Sequence, residues 1–199
     1  RSSGCGVRTA QEPQWGSCTA HILGRRHDAR YSYEQYLEQK PDNAEIRHLL
    51  SALRDQPPPQ RAPDECIVQL YSRFSGFYEH NMCGQLEYQA PERIRETLAA
   101  VLGQATNLDI LELGCGTGLA AKYLKPFARH LSGIDLSPEM IEQAGTMQMY
   151  DELAVAEITA FLASQTTGYD LILACDTLIY FGDLAQIAQP SAALLRPGG

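Results

Sequence analysis

The sequence predicts an α/β protein in which a parallel sheet is preceded by a small α-helical segment. Two observations lead to this fold class. From Leu108 to the end, short apolar runs alternate with amphipathic stretches of helical period, and such an alternation is typical of a parallel sheet with helices on both faces. Before residue 55, apolar residues recur only at the spacing of helices.

Composition limits the kinds of function that fit the chain. It has 199 residues, 44% of them hydrophobic, with 16 Lys and Arg against 24 Asp and Glu, which gives a net charge of −8. This is a globular composition, and its negative charge argues against a nucleic-acid partner. No run reaches the roughly 18 apolar residues of a membrane span, so no membrane association is expected.

The cysteines favour a reduced, cytoplasmic protein. All six stand singly, with no C-x-x-C pair, so neither a disulfide framework nor a zinc site is expected. The sequence predicts no metal ligands.

Composition also divides the chain into four regions. Residues 1–54 form a helical segment in which Pro41 ends one helix and Asp42-Asn43 can cap the next. Residues 55–65 are a proline-rich linker of extended character. Residues 66–104 are a helical lead-in, and residues 105–199 are the α/β part.

Within the α/β part, each element is predicted from its local pattern. The four strand candidates are LDILELG, HLSGIDLS, LAVAEI and the LILA of YDLILACDTLIYF. Helices are predicted over TGLAAKYLKPFA (117–128) and PEMIEQAGTMQMY (138–150). Pro138 suits the first turn of the second of these helices.

A glycine-rich turn follows the first strand and is typical of a ligand site. Glycines let backbone N–H groups approach a ligand closely, and ligands of open α/β sheets bind at the carboxyl ends of the strands. The spacing is E-x-G-x-G-x-G, from Glu112 to Gly118, and Leu119 stands where a dinucleotide fingerprint has its third glycine. Asp135 ends the second strand, where an acid can accept hydrogen bonds from two ribose hydroxyls.

These residues resemble the class I S-adenosylmethionine-dependent methyltransferases. The resemblance implies a Rossmann-like sheet of which strands one to four of seven are present, in the order 3-2-1-4. It implies S-adenosyl-L-methionine as cofactor, with Met140 packing on its adenine, Glu157 facing the adenine amino group and Ile158 offering a backbone N–H. The implied cofactor-binding residues are Glu112, Gly114, Cys115, Gly116, Gly118, Asp135, Leu136, Met140, Glu157, Ile158 and Asp176.

The resemblance also suggests residues near the reacting methyl group. The family has no universal catalytic base, so only Asp176 and Tyr180, after the fourth strand, are candidates for orienting an acceptor. Related methyltransferases carry a capping helix with spaced aromatic residues. Tyr71 and Tyr78 are therefore lid candidates, although the same spacing is common in a helix that packs in a core.

A second resemblance concerns the first region. Gly24, Ala29, Tyr33 and Pro41 resemble the second helix and closing turn of a tetratricopeptide repeat. The whole arrangement is similar to bacterial methyltransferases with such repeats at the N-terminus. We expect a chain cut at both ends, and a plain helical hairpin is the alternative for the first region.

The expected function is S-adenosylmethionine-dependent methyl transfer to a small-molecule or protein acceptor. One alternative is a docking module, in which the repeat segment binds a protein partner and the second part binds cofactor without catalysis. Another is a different enzyme on the same fold, such as an aminopropyl transferase or a nicotinamide-dependent enzyme. The missing third glycine argues against the nicotinamide-dependent one.

Overall fold

A computed structural model describes residues 20–54, 59–86, 88–103, 105–166 and 168–199. The chain divides into two compact units, Arg1–Pro58 and Pro59–Gly199. The boundary falls inside the proline-rich segment. The part of the first region before residue 20 lies outside the described residues.

The first unit contains a pair of helices with a core of its own. Helix α1 spans Arg26–Gln39 and helix α2 spans Ala44–Ser51. The Asn43 side chain caps α2 by accepting a hydrogen bond from the Ile46 N–H at 2.9 Å, as its position after Pro41 predicts. The residues buried between the helices are Ala29, Tyr33, Tyr36, Ile46, Leu50 and Leu53.

The second unit opens with irregular helical structure. Helix α3 spans Asp64–Phe74 and continues through a 3₁₀ turn, Ser75–Phe77, into a π-helical segment, His80–Gln85. Helix α4 spans Ala90–Leu102 and has Pro91 in its first turn, where a missing N–H costs no hydrogen bond.

A four-stranded parallel sheet follows, in the order β3-β2-β1-β4, which confirms the predicted order. Strand β1 spans Leu108–Leu113, β2 Ala128–Asp135, β3 Glu152–Val155 and β4 Leu171–Ala174. In register, Leu111 of β1 pairs with Ser132 of β2 and Ile172 of β4.

The helices that connect the strands are shorter than the sequence predicts. Helix α5, predicted over 117–128, spans only Ala121–Leu124, and α6 spans Pro138–Thr146 rather than 138–150. Helix α5 starts late because residues 114–118 form the glycine turn, in which three glycines have positive φ. Helix α6 ends early because Gln148 has a positive φ of 53°, which is not helical backbone. Helix α7 spans Ile158–Ser164 and α8 spans Ala185–Leu194, after a 3₁₀ turn at Leu178–Tyr180.

Alternation along β1 separates the two faces of the sheet. Leu111 and Leu113 pack with Ile134 and Leu162 on one face, and Ile110 packs with Leu131 and other residues on the opposite face. Glu112 is two residues from Ile110 and therefore points to the Ile110 face. Among the four buried residues of this strand, 110–113, Glu112 alone is polar.

The end of the predicted linker packs onto the sheet domain. Ala62 donates from its N–H to the Tyr180 carbonyl at 2.8 Å, and Gly182 donates to the Gln60 carbonyl at 2.7 Å. We call residues 59–62 the strap. Where the sequence predicts a free extended linker, these residues form an antiparallel bridge, Arg61 with Phe181.

No helix within the described ranges is long and apolar enough to cross a bilayer.

Candidate functional site

The glycine turn after β1 adopts backbone conformations that favour glycine. Gly114, Gly116 and Gly118 have φ values of 69°, 55° and 89°. A Cβ added at Gly114 would lie 2.2 Å from Thr177 Oγ1. The Thr177 side chain, which follows β4, can therefore pack here only because Gly114 has no side chain. A Cβ at Gly116 would meet no atom within 4 Å, which leaves that face open to a ligand.

Asp135 is fixed beside this turn by backbone donors. Its Oδ2 accepts from the Gly116 N–H and its Oδ1 from the Ser137 N–H, each at 2.9 Å. Burial raises the pKa of the carboxyl, and the hydrogen bonds from Ser137, Gly116 and Leu136 partly offset this. A carboxylate has about four lone-pair sites, so Asp135 keeps acceptor capacity for a further donor.

A pocket of about 340 Å³ lies at the carboxyl ends of the strands, within the size range of small-molecule sites. It collects residues that follow each of the four strands. The predicted site residues that line it are Tyr71, Tyr78, Gly114, Gly116, Asp135, Leu136, Glu157, Ile158, Asp176 and Tyr180.

Three tyrosines, Tyr71, Tyr78 and Tyr180, form one wall of this pocket, and we call them the tyrosine cluster. The Tyr71 and Tyr180 hydroxyls are 2.5 Å apart, and the Tyr71 ring lies edge-on to both others with centroid distances of 6.0 and 6.1 Å. Burial raises the pKa of all three phenols, so they are neutral at physiological pH. The lid candidates and Tyr180 therefore meet at one place.

Helix α3, which carries Tyr71, is tied to the sheet domain beside the pocket. Ser72 Oγ donates to Glu139 of α6 at 3.1 Å, and Gln143 of α6 donates to the Ser75 carbonyl at 2.9 Å. Together with the strap, these bonds place α3 over the ends of the strands.

A smaller cavity of about 30 Å³ adjoins the pocket on the other side of the glycine turn. Glu112, Cys115 and Gly116 line it. Glu112 is 2% exposed, and its Oε2 accepts from the Tyr150 hydroxyl at 2.8 Å. Burial raises the pKa of Glu112 to about 7, against the opposing effect of the Tyr150 hydrogen bond.

Glu157 reaches the pocket but is engaged as a helix cap. Its Oε1 accepts from the Thr159 N–H at 3.0 Å and its Oε2 from the Ala160 N–H at 2.8 Å and the Thr159 hydroxyl. Burial opposes ionisation, but these bonds outweigh it and leave the pKa below its usual range. The carboxylate therefore stabilises the start of α7.

Two predicted site residues line neither the pocket nor the small cavity. Met140 is 1% exposed in the core and does not line the pocket, whereas Leu136 does. Gly118 faces Met147 and Tyr150, each 3.1 Å from an added Cβ. Asp176 lines the pocket with a positive φ of 56°, exposed at the end of β4.

The structure adds residues that sequence reasoning missed. Tyr88, before α4, hydrogen-bonds Cys175 Sγ at 3.1 Å. Thr177 donates to the Gly114 carbonyl at 3.2 Å and fills the space that glycine leaves. Tyr150 holds Glu112, and Arg61 of the strap lines the pocket. No local pattern marks these positions, because each acts through a neighbour distant in sequence.

Comparison with known proteins finds that the second unit is similar in sequence to methyltransferases. Residues 111–199 match a family model described as a methyltransferase domain. Over 94 residues the chain is 34% identical to a ubiquinone biosynthesis O-methyltransferase of Xylella fastidiosa, covering 45% of this chain and 38% of that enzyme. It is 31% identical over 135 residues to human methyltransferase-like protein 27, covering 66% and 54%. The chain thus spans about half or less of the length of these curated relatives.

A solved structure gives the same assignment for the fold. The N-methyltransferase NodS of Bradyrhizobium japonicum, in complex with S-adenosyl-L-homocysteine, is 27% identical and superposes with a TM-score of 0.52. The alignment covers 66% of this chain and 69% of NodS. The sheet of this chain is the Rossmann-like sheet of the class I methyltransferases.

Proposed function

We propose that this chain, whose sheet has the class I methyltransferase fold, transfers a methyl group from S-adenosyl-L-methionine to an acceptor nucleophile. The observation that carries the proposal is the pairing of Asp135 with the glycine turn. A carboxylate held by the Gly116 and Ser137 N–H groups lines the pocket and keeps acceptor capacity for a ligand donor.

The residues present support binding of the ribose, the adenine ring and the methionine end of the cofactor. Asp135 would accept hydrogen bonds from the two ribose hydroxyls, and the bare face of Gly116 leaves room for the ligand. Leu136 and Ile158 supply apolar surface for the adenine. The small cavity at Glu112 suits the amino group of the methionine end, since an ammonium would favour the charged form of that buried carboxyl.

Glu157 is the departure in this fit. Because its oxygens already cap α7, its carboxylate is poorly placed to accept from an adenine amino group. We propose that the backbone around Ile158 recognises the adenine edge instead.

The bound cofactor supplies an electrophilic methyl group and a sulfur leaving group. The chain's own contribution is alignment and exclusion of water. The tyrosine cluster and helix α3 cover the end of the pocket next to β4. The raised pKa values of the three phenols make them neutral hydrogen-bond donors rather than bases.

The decisive experiment is calorimetric titration with S-adenosylmethionine, S-adenosylhomocysteine and NAD. We expect micromolar binding of both sulfur cofactors and none of NAD, because the turn lacks the third dinucleotide glycine. Binding of NAD alone would overturn the cofactor assignment. Binding of the sulfur cofactors without methyl transfer into a cell extract would favour the docking alternative.

A protein-docking role for the first unit is a separate proposal. Gly24 has a φ of 72°, and Ala29 and Tyr33 are buried within the α1–α2 pair, which supports a repeat-like hairpin. The negative net charge supports a small-molecule or protein acceptor rather than a nucleic acid. Capture of a partner protein by the isolated first unit would test the docking role.

A further inference from the structure

We infer that the methyl acceptor is an amine that arrives as a cation and is received by the tyrosine cluster and Asp176. The inference rests on the proposed function and names the substrate class of the same site.

The acceptor end of the pocket is fixed by strand order. Strand β1 lies between β2 and β4, so a ligand anchored at Asp135 and lying over Gly114 extends towards the end of β4. That end is formed by Asp176, Tyr180 and the two lid tyrosines. An acceptor must approach the reacting methyl group from there.

The charges around the pocket disfavour an anionic acceptor. Asp135, Glu157 and Asp176 line it, and the only basic side chain among the described lining residues is Arg61. Arg61 is engaged elsewhere: it hydrogen-bonds Asp64 and lies 3.9 Å from Glu157. A carboxylate or phosphate would thus face acids without an available cation, which costs Coulomb energy in a partly buried site.

The geometry of the tyrosine cluster favours a cation. The Tyr71 ring stands at 66° to the Tyr78 ring and at 78° to the Tyr180 ring. All three rings line the pocket, and a tyrosine ring attracts an ammonium group that lies over its face within about 6 Å of the centroid. Asp176, at the same end, adds a full negative charge.

The protonation chemistry also favours nitrogen. The tyrosine cluster consists of neutral phenols, and no histidine or lysine lies among the described residues that line the pocket. An alcohol acceptor would need a base that these groups do not supply. An amine needs only to lose the proton it carries, after which its lone pair is a competent nucleophile.

The step balances without a further reagent. The ammonium releases one proton to water, and the nitrogen lone pair forms a bond to the methyl carbon. The bond from that carbon to sulfur breaks, and its electron pair stays on sulfur to give neutral S-adenosylhomocysteine. The methylated ammonium product can then release a second proton to solvent.

The test is binding of three matched probes to the full chain saturated with S-adenosylhomocysteine, measured by calorimetry. Phenethylamine, 2-phenylethanol and phenylacetate share a ring and a short arm but end in a cation, a neutral hydroxyl and an anion. We expect phenethylamine to bind at least about tenfold more tightly than either other probe.

Asp176→Asn is the diagnostic variant, because asparagine accepts the positive φ of 56° at this position. Measured with the variant saturated with S-adenosylhomocysteine, it should abolish the at least about tenfold preference for phenethylamine. Asp183→Asn is the matched control: Asp183 is an exposed acid that does not line the pocket. It should keep the preference.

The outcomes separate the two proposals. Failure of S-adenosylhomocysteine to bind would contradict the proposed function. Saturation by S-adenosylhomocysteine with equal occupancy by the three probes, or with tightest binding of phenylacetate, would overturn the amine inference alone.

Discussion

Asp135 has a local role, as acceptor for the Ser137 N–H, and a tertiary role, as acceptor for the Gly116 N–H. Its oxygens accept from the backbone of Gly116 and Ser137, so one side chain joins the end of β2 to the glycine turn after β1. The carboxylate so held also lines the pocket. Burial raises its pKa, and binding that depends on its charge should weaken as the pH falls through that raised value.

Asp135→Ala should weaken binding of S-adenosylhomocysteine by more than about tenfold, because two hydrogen bonds to a charged acceptor are lost. Calorimetry at neutral pH measures this loss. Asp183→Asn, away from the pocket, should bind as the parent does. An Asp135→Ala protein that is folded and binds normally would contradict the ribose assignment.

The buried Glu112 carboxyl lowers the free energy of unfolding at neutral pH, because burial opposes its ionisation. Its pKa is about 7 in the folded protein, against 4.5 as the ordinary value, so folding favours its protonated form. The free energy of unfolding should therefore fall as the pH rises from about 4.5 to 7. The contribution is on the order of 3 kcal/mol at most, from the size of the shift.

Glu112→Gln should remove most of this pH dependence and raise the free energy of unfolding at pH 8, since a neutral amide can still accept from Tyr150. Urea unfolding at about pH 5 and pH 8 would show it. We also expect weaker cofactor binding, because the charge facing the small cavity is gone. A pH profile identical to that of the parent would show that Glu112 is ionised in the folded chain.

At the scale of elements, the strap is a proline-rich segment that is held against the sheet domain by backbone hydrogen bonds. Gly182 donates to the Gln60 carbonyl at 2.7 Å, and a Cβ added there would lie 3.1 Å from the Pro59 carbonyl oxygen and 3.2 Å from that of Gln60. These are backbone atoms that can yield only by moving the strap. The strap in turn leads directly into α3, which carries Tyr71.

Gly182→Ala should lower the free energy of unfolding by about 1 kcal/mol, the usual net value of a hydrogen bond. Gly76→Ala is the matched control, since an added Cβ there meets nothing within 4 Å. Urea titration compares the two variants. Equal stability would mean that the strap contributes nothing measurable to the fold.

At the scale of the whole molecule, the pocket belongs to one unit. Every described residue that lines it is numbered 61 or higher, within Pro59–Gly199. The α1–α2 pair has a separate core. The pocket and the core of the α1–α2 pair therefore lie in different units.

A fragment spanning residues 59–199 should therefore bind S-adenosylhomocysteine within about twofold of the full chain. Calorimetry on both proteins, with circular dichroism to confirm folding, measures this. A folded fragment without affinity would show that the first unit contributes to the site, which would also revise the proposed docking role.

The sequence by itself determined the sheet and identified the glycine turn and Asp135, which meet in the candidate site. Alternating apolar runs and amphipathic helices predict the parallel strands, and the family resemblance supplied their order, 3-2-1-4. The E-x-G-x-G-x-G turn and Asp135 were found because their spacing expresses local backbone needs: positive φ values and an acid at a strand end. Backbone requirements of this kind can be recognised in the sequence because they involve only a few neighbouring residues.

Only the tertiary structure decided what surrounds these residues. The contact of Tyr71 with Tyr180, the fit of Thr177 against Gly114 and the burial of Glu112 beside Tyr150 join residues far apart in sequence. Met140 lies in the core rather than in the pocket for the same reason. The physical cause is that packing and burial depend on which elements are in contact in the folded chain. A local sequence pattern does not specify those contacts.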